Sequence, residues 1–232
     1  MKEVEAEAIA GSPDAMHELA SALHECSRAQ MLSDDEIERQ VAKRSLGREI
    51  LSGDGTTSSP AEDAARVKRL ERVRDSCRQI PKAESDQWIN WLEKSASAGD
   101  SQARVEFAWQ ALDEFPTQEA REENAEEYVR RRDEAFGLLQ DSIANGDCSN
   151  GILNGFRKVS PDPLNEYVYE GLLLQHALDS LNDGRLPPDV VSIETQSVEA
   201  TLNNLALGVP AAQRNLAQAT TRDILQNYCT AF

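Results

Sequence analysis

Three glycines, Gly11, Gly99 and Gly208, are followed at the same intervals by the same kinds of residue, and no other feature restricts the fold of this chain so closely. Alanine stands four residues on, as Ala15, Ala103 and Ala212; a bulky apolar residue stands at plus eight, as Leu19, Phe107 and Leu216. A second alanine follows at plus nine, as Ala20, Ala108 and Ala217. Each glycine closes a stretch whose apolar residues recur at three- and four-residue spacing, the period of a helix with one buried face. Glycine there supplies the left-handed turn that stops one helix, and alanine one turn into the next lets the two backbones approach. The bulky residue then fills the groove. The pattern predicts antiparallel helix pairs. A further copy at Gly146 keeps the glycine but has Asn150 and Asn154 at the later positions, and reads as degenerate.

Composition agrees with helices. Aromatic residues make up only 5%, while the helix-favouring Ala, Leu, Glu, Gln and Arg are abundant, so the expected class is all-α. The 232 residues are read as a single helical-repeat domain over 1–232, with a flexible Gly/Ser/Thr connector at 53–60. Pro60 then suits the first turn of the next helix, where its missing amide hydrogen costs nothing. Ser33-Asp34-Asp35-Glu36 reads as a capping box opening a helix over about 34–52. Pro81 is expected to end the helix that runs from Pro60 to about Gln79, and another to start near Ala83 with Trp88, Trp91 and Leu92 on one face. The stretch 117–145 reads as one long helix. Eleven of its sixteen residues from Glu119 to Glu134 are charged, so its first half is expected to be solvated and its second to dock through Phe136, Leu139 and Ile143. Breaks at 160–163 and 183–188 bracket a helix carrying Tyr167, Leu172, Leu173, Ala177 and Leu181.

The formal charge of −17 repels phosphates and anionic lipid, which argues against nucleic-acid binding. It favours a basic protein partner. The acids of the charged run, Glu119, Glu122, Glu123, Glu126 and Glu127, are the expected contacts, with Glu3, Glu5 and Glu7 as a second acidic stretch. No apolar run is long enough to cross a bilayer, so no membrane insertion is expected.

The search for chemistry is short. His17 and His24 lie seven residues apart, about 10.5 Å along a helix, which is too far for two imidazoles to share an ion unaided. Both read as surface or rim residues, His176 as an ordinary helix residue, and neither a metal nor a cofactor is expected. His24 and Cys26 are too close in sequence to face each other on a helix, and the GxSxG, GxxxxGK and GxGxxG anchors are missing from the sequence. The chain therefore reads as a non-enzyme. The alternative is a carboxylate-dependent glycan or cell-wall hydrolase on a helical scaffold, whose acid would sit among apolar neighbours as Glu106 and Glu170 do.

The four cysteines, Cys26, Cys77, Cys148 and Cys229, form no CxxC pair and are even in number, leaving buried thiols or two disulfides. If oxidised, Cys26 with Cys77 and Cys148 with Cys229 would each close one half of the chain, although four cysteines allow three connectivities. The Met1-Lys2-Glu3-Val4-Glu5 start has no apolar signal core, which read literally is cytoplasmic. Disulfides would instead place the chain in the periplasm or outside the cell, with its export signal missing from this sequence.

The stretch from Trp91 through Gly99 to Ala103 resembles the signature of Sel-one-like repeats, relatives of the tetratricopeptide repeats. Ala10-Gly11-Ser12-Pro13-Asp14-Ala15-Met16-His17-Glu18-Leu19-Ala20 is similar to the same signature, and the copy at Gly208 less so. The resemblance covers about half the chain. Its glycine intervals of 88, 47 and 62 residues, with Gly146 included, are uneven and predict a compact, irregular assembly of helix pairs in place of a regular superhelix. The resemblance implies protein–protein interaction, as in bacterial exported adaptors or immunity proteins that neutralise a toxin. It transfers no binding residue, because the signature positions Gly11, Ala15, Leu19, Gly99, Ala103, Phe107, Gly208, Ala212 and Leu216 are the packing positions.

Overall fold

A computed structural model describes residues 2–39, 41–42, 60–160, 162–182 and 188–229. The regular structure among them is helical throughout. The chain forms two compact units, residues 1–94 and 95–232.

In the first unit, α1 (Lys2–Ile9) is stopped by Gly11 at φ 98°. The Gly11 N–H donates to Ala8 O at 3.1 Å and the Ser12 N–H to Glu7 O at 3.1 Å, the paired bonds of a Schellman ending. Ser12 then caps α2 (Pro13–Gln30), its Oγ accepting from the Ala15 N–H, with Pro13 in the first turn. Ala8, Ala15, Leu19, Ala20 and Leu23 are buried along α1 and α2. A helical stretch at 34–39 and 41–42 follows, with Ser33 Oγ accepting from the Glu36 N–H at 3.2 Å. The remainder of the helix expected over 34–52, and positions 53–59 of the expected connector, lie outside the described residues. Pro60 opens α3 (Pro60–Cys77).

The helix expected from Ala83 is two pieces, α4 (Lys82–Ser85) and α5 (Trp88–Ser97). Side chains from α2 account for the interruption. Ser27 Oγ donates to Asp86 Oδ1 at 3.0 Å, the fully buried Ser85 donates to Gln30 Oε1, and the Gln30 amide donates to Cys77 O and Ile80 O at 2.9 and 2.8 Å. Cys26 and Cys77 are joined as a disulfide, Cα to Cα 5.1 Å. His24, expected at the surface or rim, is half-buried and stacks on Trp88 with ring centroids 4.0 Å apart.

The second unit holds α6 (Ser101–Gln110), α7 (Gln118–Glu123), α8 (Ala125–Ala144), α9 (Asn150–Val159), α10 (Pro163–Asn182), α11 (Pro188–Gly208) and α12 (Ala211–Asn227). The turn at Gly99, φ 103°, repeats the chemistry of the first: the Asp100 N–H reaches Ser95 O, and Asp100 Oδ1 caps the Ala103 N–H at 2.7 Å. Ala103, Phe107 and Ala108 are fully buried. Helix α9 packs against α6, α8 and α10, and at Gly155 the approach is close: a Cβ would lie 3.0 Å from Leu139 and 3.3 Å from Ala108, so those side chains would have to give way by a few tenths of an ångström. Cys148 and Cys229 form the second disulfide, Cα to Cα 5.6 Å, tying the α8–α9 connection to the end of α12.

The copy at Gly208 departs from the expected pattern. Gly208 does not have a positive φ but is the last residue of α11, and the Val209 N–H still bonds Leu205 O. Pro210 is itself extended (φ −56°, ψ 146°), disfavours a helical residue before it and brings no N–H of its own, so the connection is led by proline. Ala212 is exposed and Leu216 is 61% exposed; only Ala217 of that copy is buried. Helices α11 and α12 both pack chiefly on α10. Gly146, by contrast, has φ 87°, with the Asp147 N–H bonded to Ser142 O at 2.9 Å, so the copy that read as degenerate makes a full left-handed helix end.

Candidate functional site

The charged run 117–134 is where the fold shows residues it does not need for packing. The single helix expected here breaks at Asn124, whose backbone (φ −120°, ψ 34°) is not helical and whose amide donates to Ala120 O at 3.0 Å. Glu119, Glu122, Glu123, Glu126 and Glu127 recur at three- and four-residue spacing, so a continuous helix would stack like charges on one face. An asparagine that bonds the backbone offers the chain a way out. The result is α7, six residues long and without a buried residue, capped by Thr117 Oγ1 accepting from the Ala120 N–H.

Arg121 ties this helix to its surroundings, and Arg131 fixes the neighbouring α8. Arg131, expected within a solvated half-helix, is 8% exposed. It bonds Glu114 and Glu127 at 2.7 Å each and lies over the Phe115 ring. Arg121 donates to Phe115 O at 3.1 Å and lies over Tyr128, which meets Phe115 edge-on. Local sequence does not single out Arg131 from the ten other charged residues of 119–134; only its tertiary partners, Glu114 and Phe115, distinguish it from Arg130 and Arg132.

Of the five acids expected to bind, four face outward: Glu119, Glu122, Glu123 and Glu126 are exposed. Glu122 accepts from the Gln118 amide at 2.8 Å on the same face. Glu127 is spent internally. Hydrogen bonding from Arg130, then from Arg131, holds its carboxyl down at about 2 against partial burial. Glu3, Glu5 and Glu7 are also exposed, on the separate helix α1.

The acids weighed for hydrolytic chemistry have other partners. Glu106 is half-buried and accepts from the Gln102 amide at 3.1 Å. Glu170 is fully buried, and both of its oxygens are engaged by the Arg157 guanidinium beside the stacked Phe156 and Tyr169 rings. Burial, and next the Glu170 charge, push the neighbouring Glu166 carboxyl upward, with Arg157 opposing; burial likewise raises the Tyr169 hydroxyl. No group of three or more metal-ligating side chains occurs among the described residues, and the side chain of His176 lies outside them. Nor is any described helix long and apolar enough to cross a membrane. No protein-family model, curated protein or solved structure matches this chain.

Proposed function

We propose that this chain is a non-enzymatic, tetratricopeptide-like helical-repeat protein of the Sel-one-like kind that binds a basic protein through the α7–α8 ridge. The observation that carries the reading is α7 itself, a helix that buries none of its residues yet is fixed through Arg121, which donates to Phe115 O and lies over the Tyr128 ring. A fold gains nothing from anchoring an unburied, net-acidic helix unless the display is used, and the four exposed carboxylates of the ridge steer a basic partner. The two disulfides support export to an oxidising compartment, where an adaptor or a toxin-neutralising protein would work. A glycan hydrolase would need a free acid facing substrate, whereas Glu170 spends both oxygens on Arg157.

The test compares the native protein with the quadruple variant Glu119→Gln, Glu122→Gln, Glu123→Gln and Glu126→Gln as baits in extract of the source cells. The expected result is a basic protein retained by the native bait at low salt, released at high salt and absent from the variant. Equal retention by both baits, or no retention by either, removes this reading.

A further inference from the structure

Basic side chains are not spread evenly over this acidic chain. Residues 39–78 contain ten of its 24 lysines and arginines against six of its 41 acids, a local charge of +4 that leaves −21 on the remainder. The core of that segment is α3, where Glu71 is the single acid between Ala64 and Arg74 against five basic residues.

The arginines at the flank and end of α3 have partners. Arg66 pairs with Asp63 at 3.7 Å, and Arg78 pairs with Asp75 at 3.3 Å. Arg74 bonds Asp34 at 2.6 Å and donates to Leu32 O, which ties α3 to the stretch after α2. Lys68, Arg69 and Arg72 are different. All three are exposed, they share one face at spacings of one, three and four residues, and no carboxylate pairs with them among the described residues. The Arg72 guanidinium only donates back to Lys68 O at 3.2 Å. One turn before them the same side of the helix carries Ala61, Ala64 and Ala65, also exposed. Small side chains there allow close approach, and three unpaired cations beside them supply charge.

From this arrangement we infer a second docking surface, the outer face of α3, that takes an acidic helical segment of a protein partner. Charge complementarity selects an anion, and the rest of the chain selects its size. A duplex or a lipid surface extends beyond a patch of three cations and is repelled by a chain at −17 overall, whereas a short peptide feels little beyond a Debye length of about 8 Å. Carboxylates at i and i+4 on a helix match the Lys68 and Arg72 spacing, and its apolar face would lie on the alanines. This surface is separate from the α7–α8 ridge, with opposite sign and a different helix, so either can fail without the other.

The probe is a fluorescein-labelled helical Glu/Ala/Leu peptide of about 15 residues, long enough to hold a helix, with glutamates at i, i+4 and i+8. Binding is read by anisotropy at low and at physiological salt. The native protein is expected to bind it, more tightly at low salt, and the triple variant Lys68→Gln, Arg69→Gln, Arg72→Gln to bind at least about tenfold more weakly with an unchanged unfolding midpoint. Arg222→Gln, which removes an exposed arginine from α12, should leave binding as it was. Absence of binding at low salt overturns the inference, as does an equal loss in Arg222→Gln. Binding of a short DNA duplex or of phosphatidylserine vesicles in place of the peptide overturns it too. Self-association of the native protein that the triple variant abolishes would assign the face to a second copy and overturn the separate partner.

Discussion

Two glutamates with opposite environments make the pH response of this protein readable residue by residue. Glu127 is depressed to about 2 from an ordinary 4.5, first by Arg130 and then by Arg131. Its contribution is therefore fully present above pH 4.5 and is lost as pH falls towards 2. The effect is modest because the side chain is 41% exposed and water screens the pair. Glu166 is raised, chiefly by burial, so its cost has the opposite sign: nothing below its ordinary pKa, and growing as pH rises through the folded value. Glu127→Gln should flatten the acid limb of a plot of urea midpoint against pH between about 4.5 and 2. Glu166→Gln should be more stable than the native protein at neutral pH and equal to it in acid. A Glu166→Gln advantage that persists at low pH would show that the gain is not electrostatic.

At the scale of elements, the helix ends divide the glycines into two kinds that length and periodicity alone do not separate. Gly99 and Gly146 are left-handed ends, at φ 103° and 87°, where an L side chain is strained, while Gly208 is simply helical. Gly99→Ala and Gly146→Ala should each cost about 1 kcal/mol, whereas Gly208→Ala should be neutral or slightly stabilising through lower unfolded-state entropy. Urea midpoints of the three variants, measured side by side, check this, and a Gly208→Ala loss as large as the other two would refute the distinction. The contrast also shows what could be read in advance. The ends at Gly11 and Gly99 were legible because glycine, the capping Ser12 or Asp100, and the alanine at plus four act within a few residues of one another. Gly208 misled because Pro210, two residues on, decides the geometry there, and Gly146 was discounted because polar Asn150 and Asn154 hid a sound turn. The breaks at 86–87 and 124 were missed for a common reason. In each, a side-chain hydrogen bond, from Ser27 to Asp86 in one case and from Asn124 to Ala120 O in the other, holds a conformation that local propensity does not demand. The acidic ridge was legible as charge, but its division into four displayed acids and one spent on arginines was not.

For the whole molecule, charge and covalent links act against each other. A chain at −17 repels itself when compact, and the two disulfides counter this by limiting how far the unfolded chain can expand. Each lies within one compact unit, Cys26–Cys77 spanning 51 residues in the first and Cys148–Cys229 spanning 81 in the second. In the chain-entropy description, loops of these lengths are each worth about 4 kcal/mol, with about 2–4 kcal/mol the usual measured range. For a chain of this size 1 kcal/mol corresponds to about 2–4 °C, so removing either link should lower the Tm of its own unit by on the order of 10 °C. All four cysteines are buried, at 7%, 2%, 4% and 5% exposure, so gentle reductant should act slowly on the folded protein and quickly once it is partly unfolded. The measurement is calorimetry of the native protein, Cys26→Ser/Cys77→Ser and Cys148→Ser/Cys229→Ser, with a thiol count in denaturant before and after reduction. No thiols before reduction, four after it, and a lowered transition in each double variant are the expected results. Four thiols in the unreduced protein, or transitions that do not move, would remove the covalent links and with them the physical support for an oxidising compartment.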